Sequence, residues 1–168
     1  LVDELTDLSN RRAFQLEVTR AMSNHRRGKR AFALCVVDVD HFKNVNDQYG
    51  HDVGDRVLRG VAEVLKRSVR EGDLVARVGG EEFAVFLCDI DAEAATRRFE
   101  GLLQRLRSSV LAGERPVTAS LGFSHSTDFE PEASYEELFK AADLALYRAK
   151  TAGRDRLERA LAPAAQAR

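Results

Sequence analysis

The order of apolar and polar positions divides the chain into alternating helical and extended segments. From Asn10 to Arg27, Phe14, Val18, Ala21 and Met22 recur at the spacing of one helix face. Phe32 to Val37 is apolar throughout and rich in small and β-branched residues, which predicts a buried strand ending in Asp38 and Asp40. The polar stretch "HFKNVNDQYGHDVGD" predicts a short helix and a turn. A full helix follows from Asp55 to Val69, with Val57, Leu58, Val61, Val64 and Leu65 on its apolar face. Asp73–Val78 and Glu81–Cys88 read as two strands with Gly79-Gly80 between them, a hairpin. A helix from Glu93 to Leu111, a strand over "RPVTASLGFS", a helix from Ser134 to Ala152 and a last strand within "GRDRLERAL" complete the order. Ser134 and Glu137 form a capping box. The Ala-rich end, "LAPAAQAR", offers nothing to pack and is expected to fray.

Strand, helices, hairpin, helix, strand, helix is an α+β order. It predicts a ferredoxin-like sheet containing antiparallel strands, with the helices on one face. In that plan the end of the first strand, with Asp38 and Asp40, meets the hairpin turn at Glu81 and Glu82.

With 168 residues the chain suits one domain. Hydrophobic residues at 44% and charged residues at 32% are ordinary for a globular protein, and a net charge of -1 supplies no basic field for nucleic acid or an anionic membrane. No apolar run reaches membrane-spanning length and no signal-peptide pattern is visible. The first residue is Leu1, from which a fragment of a longer protein is expected. Cys35 and Cys88 each sit in an apolar run and read as small core residues of a reducing compartment, not as a disulfide or metal framework. The four histidines show no metal-ligand spacing.

The carboxylates change the picture. Asp38, Glu81 and Glu82 in one place would repel and raise each other's pKa, and a hard divalent cation with oxygen ligands relieves that conflict. The alternative is a set of solvated turn residues. Gly79-Gly80 fits a type I′ turn, with φ > 0 at both positions. It equally fits a backbone left bare for a ligand to approach. Asn46 alone suits a turn and Asp55 alone a helix cap after Gly54. Lys150 and Arg154 suit cations at a helix C-terminus stopped by Gly153. "REGD", Arg70 to Asp73, suits a surface turn with an incidental ion pair.

Taken in order, however, four stretches resemble one family. "RVGGEEF" is similar to the signature of the GGDEF family, the diguanylate cyclases, in its GGEEF form. "DELTDLSNRRAF", "DVDHFKNVNDQYGHDVGDRVL" and "ADLALYRAKTAGRDR" resemble its opening turn and first helix, its substrate stretch and its last helix. The resemblance runs from about Asp3 to Leu157 and implies a cyclase that condenses two GTP into cyclic di-GMP with release of pyrophosphate. It implies Mg²⁺, with Mn²⁺ as the alternative ion, held by Asp38, Glu81 and the Val39 carbonyl. Glu82 would bind a second metal or deprotonate the attacking 3′-hydroxyl. Asn46 and Asp55 would read guanine, and Lys43, Lys150 and Arg154 would contact phosphate, with Lys43 counted among the catalytic residues. Phe42, Gly79 and Gly80 would touch substrate, and Phe42 and His41 carry no catalytic role. Arg70 and Asp73, joined by Arg77, match an inhibitory product site. A gapless count puts Gly101 where some members carry a further arginine, with Arg98 and Arg105 nearby.

The same resemblance divides the chain. Residues 1–9 become the remnant of an upstream signalling linker and a wide turn, 10–159 the catalytic domain and 160–168 a disordered tail. It implies a homodimer for catalysis, an upstream sensor or receiver domain, no nucleic acid partner, and a cytoplasmic domain whose full-length protein could be membrane-tethered. Two rivals remain. One is a catalytically silent module that binds GTP or cyclic di-GMP. The other makes a mixed GMP–AMP dinucleotide or cyclises one nucleotide. The four residues Asp38, Glu81, Glu82 and Lys150 weigh against the first, and Asp55, poorly matched to adenine N1, against the second.

Overall fold

A computed structural model describes residues 1–163. In chain order it contains α1 (Arg11–Arg27), β1 (Phe32–Val39), α2 (Phe42–Tyr49), α3 (His51–Arg67), β2 (Leu74–Arg77) and β3 (Glu82–Cys88). These are followed by α4 (Ala92–Ser109), β4 (Leu111–Ala112), β5 (Arg115–Pro116), β6 (Ala119–His125), α5 (Tyr135–Thr151) and β7 (Leu157–Arg159). The main sheet has the order β2-β3-β1-β6-β7. β1 lies at its centre, antiparallel to both β3 and β6, and β7 runs parallel to β6.

β1 is buried at every position, and that decides the layering. Its odd residues Ala33, Cys35 and Val37 join Phe83, Val85, Leu121 and Phe123 under α3 and α4. Its even residues Phe32 and Leu34 join Ala84 and Phe86 under α1 and α5, and Val36 packs on Ala142 and Leu146 of α5. The helices therefore cover both faces, not one as the strand order alone suggested. A strand apolar on both sides needs a cover on both.

Other boundaries move for local reasons. α3 begins at His51, so Asp55 lies inside the helix and caps nothing. The stretch "RPVTASLGFS" is two strands: Arg115–Pro116 pairs with β4 in a separate small sheet, and the main strand starts at Ala119. Ser134 caps α5, its Oγ accepting from Glu137 N at 3.1 Å. Ala160 does pack: it is buried, and its N–H donates to Phe123 O at 2.7 Å, so the expected tail starts too early. The rest of that expectation, from 164 on, lies outside the described residues. Among the described residues no helix is long and apolar enough to cross a membrane.

Candidate active site

Two strand ends bring the acids together. Asp38 pairs across the sheet with Glu82, and Val39 N donates to Glu81 O at 3.1 Å. Asp38 and Glu82 thus share the sheet face that α5 covers. α5 lies close because Gly122 of β6 has no side chain: a Cβ there would collide with the backbone at Leu146 N and Ala142 O. That approach lets Lys150 Nζ donate to Asp38 Oδ2 at 2.7 Å, in a pair whose acid is only 9% exposed. A cavity of about 200 Å³ opens here, lined by Asp38, Lys43, Glu81, Lys150 and Arg154 with Val39 and Phe42.

All three acids sit above the ordinary carboxylate range. Burial is the largest cause for Asp38; the hydrogen bond and charge of Lys150 oppose it, and Asp40 and Asp143 add to it. Burial also leads for Glu81, followed by the charge of Asp38. For Glu82 burial is joined by Asp38 and Asp143, against Lys150 and Arg11. The raised values mean that burial disfavours the charged carboxylates and that Lys150 offsets this only in part. Partly buried oxygen donors in this state fit a hard divalent cation.

The neighbouring residues divide into two groups. Lys43 and Arg154 are exposed at the cavity lip, and Phe42 is a buried floor residue. Arg154 has φ 64 and Asp155 φ 49, and this left-handed turn is anchored from below. Asp155 N donates to Asp40 Oδ2 at 3.0 Å, and Arg107 Nε donates to Asp155 Oδ1 at 2.7 Å. Asp40 does not reach the hairpin as expected. It is buried and accepts from Thr118 Oγ1 and Ser120 Oγ, each at 2.7 Å, so it ties β1 to β6 and to the Arg154 turn.

Asn46 and Asp55 lie apart from the acids, on α2 and α3. Gly54 joins them: a Cβ there would collide with Asn46 Oδ1 and stand 3.3 Å from Phe42 Cζ. Asn46 Oδ1 is buried and has no hydrogen-bond partner among the described residues. An acceptor left open in this way suits a ligand donor.

The hairpin turn is not type I′. Neither Gly79 nor Gly80 has positive φ. β2 stops at Arg77 and β3 resumes at Glu82, and both Val78 N and Gly79 N donate to Glu82 O, at 2.9 and 3.2 Å. Gly80 has nothing within 4 Å of a built Cβ, so the fold itself does not demand glycine there and the space above it is free. Arg77 shapes this loop. Its guanidinium donates to Gly80 O at 3.1 and 2.7 Å and pairs with Asp3 at 3.1 Å. Asp3 in turn accepts from Thr6 N and Oγ1 at 3.0 and 2.6 Å. Arg77 therefore ties the signature loop to the N-terminal turn. It stands at the far end of β2 from Arg70 and Asp73.

At that other end Asp73 is engaged from all sides. Its Oδ2 accepts from Arg70 N at 2.9 Å and Arg98 Nη2 at 3.3 Å, and its Oδ1 accepts from Cys88 N at 3.0 Å. Its side chain is 2% exposed. Of the two arginines near Gly101 on α4, Arg98 reaches Asp73, and Arg105 Nε donates to Ser68 Oγ at 3.0 Å. The Arg70 side chain is exposed and has no hydrogen bond or ion pair among the described residues. Sequence reasoning missed Asp143, the Asp40–Asp155–Arg107 network and the Asp3–Arg77 pair. Of these only Asp143 carried a usable signal, seven positions before Lys150 on one helix, where two turns bring residues back to the same face.

The family model "Diguanylate cyclase, GGDEF domain" matches residues 1–156. The chain belongs to the GGDEF family. Its hairpin, Gly79 to Phe83, carries the signature as GGEEF. Diguanylate cyclase DgcP of Pseudomonas aeruginosa is 42% identical over 165 residues, which is 94% of this chain. The chain spans 24% of the length of DgcP. The crystal structure of the GGDEF domain of DgcB from Caulobacter crescentus in complex with c-di-GMP has a TM-score of 0.87 at 35% identity, covering 94% of this chain and 92% of that one. The active GGEEF domain of a diguanylate cyclase from Vibrio cholerae has a TM-score of 0.84 at 29% identity, covering 91% of this chain and 97% of that one. The five-stranded sheet flanked by helices is thus the family's nucleotidyl-cyclase-like α+β fold.

Proposed function

We propose that this GGDEF domain is a diguanylate cyclase, which joins two GTP into cyclic di-GMP and releases two pyrophosphates. The observation that carries the reading is the convergence of Asp38, Glu81 and Glu82 on the Lys150 side of an open cavity. Asp38, Glu81 and the Val39 carbonyl are the residues that would hold Mg²⁺ or Mn²⁺. When bound, such an ion would neutralise the triphosphate and make the α-phosphorus more electrophilic. Lys43, Lys150 and Arg154 set fixed positive charge at the cavity lip, where it offsets the triphosphate and the charge of the leaving pyrophosphate. Glu82, raised by burial and by Asp38, is poised to take the proton of a 3′-hydroxyl. The bare backbone at Gly80 leaves room for the nucleotide.

Asn46 and Asp55 would read the base. A carboxylate accepts from guanine N1–H and N2–H₂, and the open Asn46 Oδ1 accepts a further N–H. Asn46 follows Lys43 by one turn of α2, so base and phosphates would lie along one helix.

One domain holds one GTP, so two domains must face each other as a homodimer. Each 3′-hydroxyl loses its proton and bonds to the other nucleotide's α-phosphorus, and the bond from that phosphorus to pyrophosphate breaks. In the full-length protein an upstream sensor or receiver region would set this pairing. The test is incubation of the domain with GTP and Mg²⁺, with the product identified by mass spectrometry. Cyclic di-GMP is expected; bound but unconverted GTP, or a linear product alone, would favour a silent binding module.

A second reading rests on Arg70. Its side chain is exposed and unpaired among the described residues, on the turn whose Asp73 also takes Arg98, and a free guanidinium there suits a phosphate or a guanine edge of the product. Asp73 shapes the turn and has no oxygen to spare. Product bound at this site would slow the enzyme by favouring the unproductive arrangement of domains. Calorimetry should show cyclic di-GMP binding to wild type and its loss in Arg70→Ala. Equal binding by both would remove this role.

A further inference from the structure

The end of the sheet opposite the catalytic acids carries a second group of ligating side chains. β3 runs from Glu82 to Cys88, so its two ends lie about 20 Å apart. His25 in the last turn of α1, Cys88 at the end of β3 and Asp89 just beyond it meet there. Their donor atoms all lie within 4.8 Å of one another.

The histidine is set up as a ligand. Its Nδ1 is 2.8 Å from Ala21 O, a contact that needs the proton on Nδ1 and leaves the lone pair on Nε2. A backbone carbonyl on the other ring nitrogen is the usual way in which a ligating histidine is oriented. Phe32 and Phe86 hold the ring edge-on at 6.2 and 6.1 Å between centroids. His25 is 8% exposed, and Nε2 is buried without a hydrogen-bond partner among the described residues. Asp89 Oδ1 stands 3.7 Å from it.

We propose that His25 Nε2, Cys88 Sγ and Asp89 Oδ1 bind one transition-metal ion of the Zn²⁺ type, with the fourth position left to water. Nitrogen, sulfur and carboxylate donors select such an ion over Mg²⁺. Bonds of about 2.0–2.3 Å in a tetrahedron put ligand atoms about 3.3–3.8 Å apart. The nitrogen–oxygen pair needs about 3.3–3.5 Å, so His25 Nε2 and Asp89 Oδ1, now 3.7 Å apart, have only a few tenths of an ångström to close. Arg30 Nε, 3.5 Å from Asp89 Oδ1, is the competing cation; both side chains of that pair are about half exposed, so releasing it costs little. On coordination Cys88 gives its Sγ proton to solvent, the ion offsetting the burial and the Asp73 and Asp89 charges that raise the free thiol; this withdraws the donor from Asp73 Oδ1, 3.4 Å away, and so links the ion to the turn that carries Arg70.

The experiment is Co²⁺ titration of the tag-free domain under anaerobic conditions, with excess Mg²⁺ to occupy the oxygen site. Wild type should develop a thiolate-to-cobalt charge-transfer band in the near ultraviolet that saturates at one equivalent and is bleached by Zn²⁺. Cys88→Ser should lose the band, and Cys35→Ala should keep it. His25→Gln and Asp89→Asn should each weaken Co²⁺ by at least about tenfold, since loss of a direct ligand costs no less than loss of an outer-shell partner. Asp89 is half exposed, so its variant tests the site even where a core substitution disturbs folding. Absence of the band in wild type, its persistence in Cys88→Ser, or unchanged affinity in Asp89→Asn would overturn the proposal.

Discussion

Replacing Gly54 with alanine should separate folding from substrate recognition. Gly54 lies inside α3 and has no positive φ. Alanine is better than glycine in a helix interior by about 1 kcal/mol. Against this gain the new Cβ displaces Asn46 Oδ1 and presses Phe42 Cζ at 3.3 Å, a contact that a shift of a few tenths of an ångström relieves. Asn46 lies in the middle of α2 and is half-buried, and its Oδ1 has no partner among the described residues. An unsatisfied buried acceptor costs about 1–3 kcal/mol, so swinging the amide out to water adds nothing unfavourable. The net change in stability should lie between zero and a gain of about 1 kcal/mol. Guanine recognition should move the other way. Loss of Asn46 from the base site removes hydrogen bonds worth about 1–3 kcal/mol, or roughly five- to hundredfold in GTP affinity. Urea unfolding and GTP calorimetry on the same preparation measure the two effects. A loss of stability beyond about 2 kcal/mol would refute the packing argument, and wild-type GTP affinity would refute the role of Asn46.

Other substitutions probe the remaining parts of the site. Asp40→Ala removes a buried acceptor of three hydrogen bonds and should cost about 2–4 kcal/mol in chemical denaturation; unchanged stability would show that the network is slack. Glu82→Gln should abolish turnover while largely sparing GTP binding, and near-normal synthesis of cyclic di-GMP would remove Glu82 from the chemistry. The acids also give a signed pH effect. Glu81 has its folded pKa raised above 4.5, so the native state holds its proton where the unfolded state has lost it. Its contribution is fully present below that value and is lost as pH rises through the raised one. Glu81→Gln should therefore gain stability relative to wild type across that window in metal-free buffer, and a difference that shrinks with rising pH would contradict the electrostatic picture.

What could be read from the sequence was local. The continuous run Phe32 to Val37, the helix spacing of α1 and α3, and the stop at Gly79-Gly80 are short-range patterns set by burial and turn chemistry, and each appears in the fold. The acids at Asp38, Glu81 and Glu82 were placed correctly because a hairpin beside β1 leaves few ways to pair the strands. The turn type was misjudged because Arg77 and Glu82, which hold the loop from outside, do not register in a glycine count. Asp40 reaches partners 78 to 115 positions away, and His25 meets Cys88 only through the packing of α1 on β3. Spacing along a chain carries no record of such contacts. Arg77 shows the same limit: nearness to Asp73 in sequence becomes the length of a strand in space.

The most direct test is the dependence of pyrophosphate release on domain concentration. Catalysis across two facing domains requires the rate per domain to rise in proportion to concentration while most domains are unpaired. It also requires two pyrophosphates for each cyclic di-GMP formed, and fusion to a parallel coiled coil should remove the concentration dependence. A rate per domain that stays constant on dilution, or pyrophosphate released without cyclic di-GMP, would contradict condensation between two GTP-loaded domains.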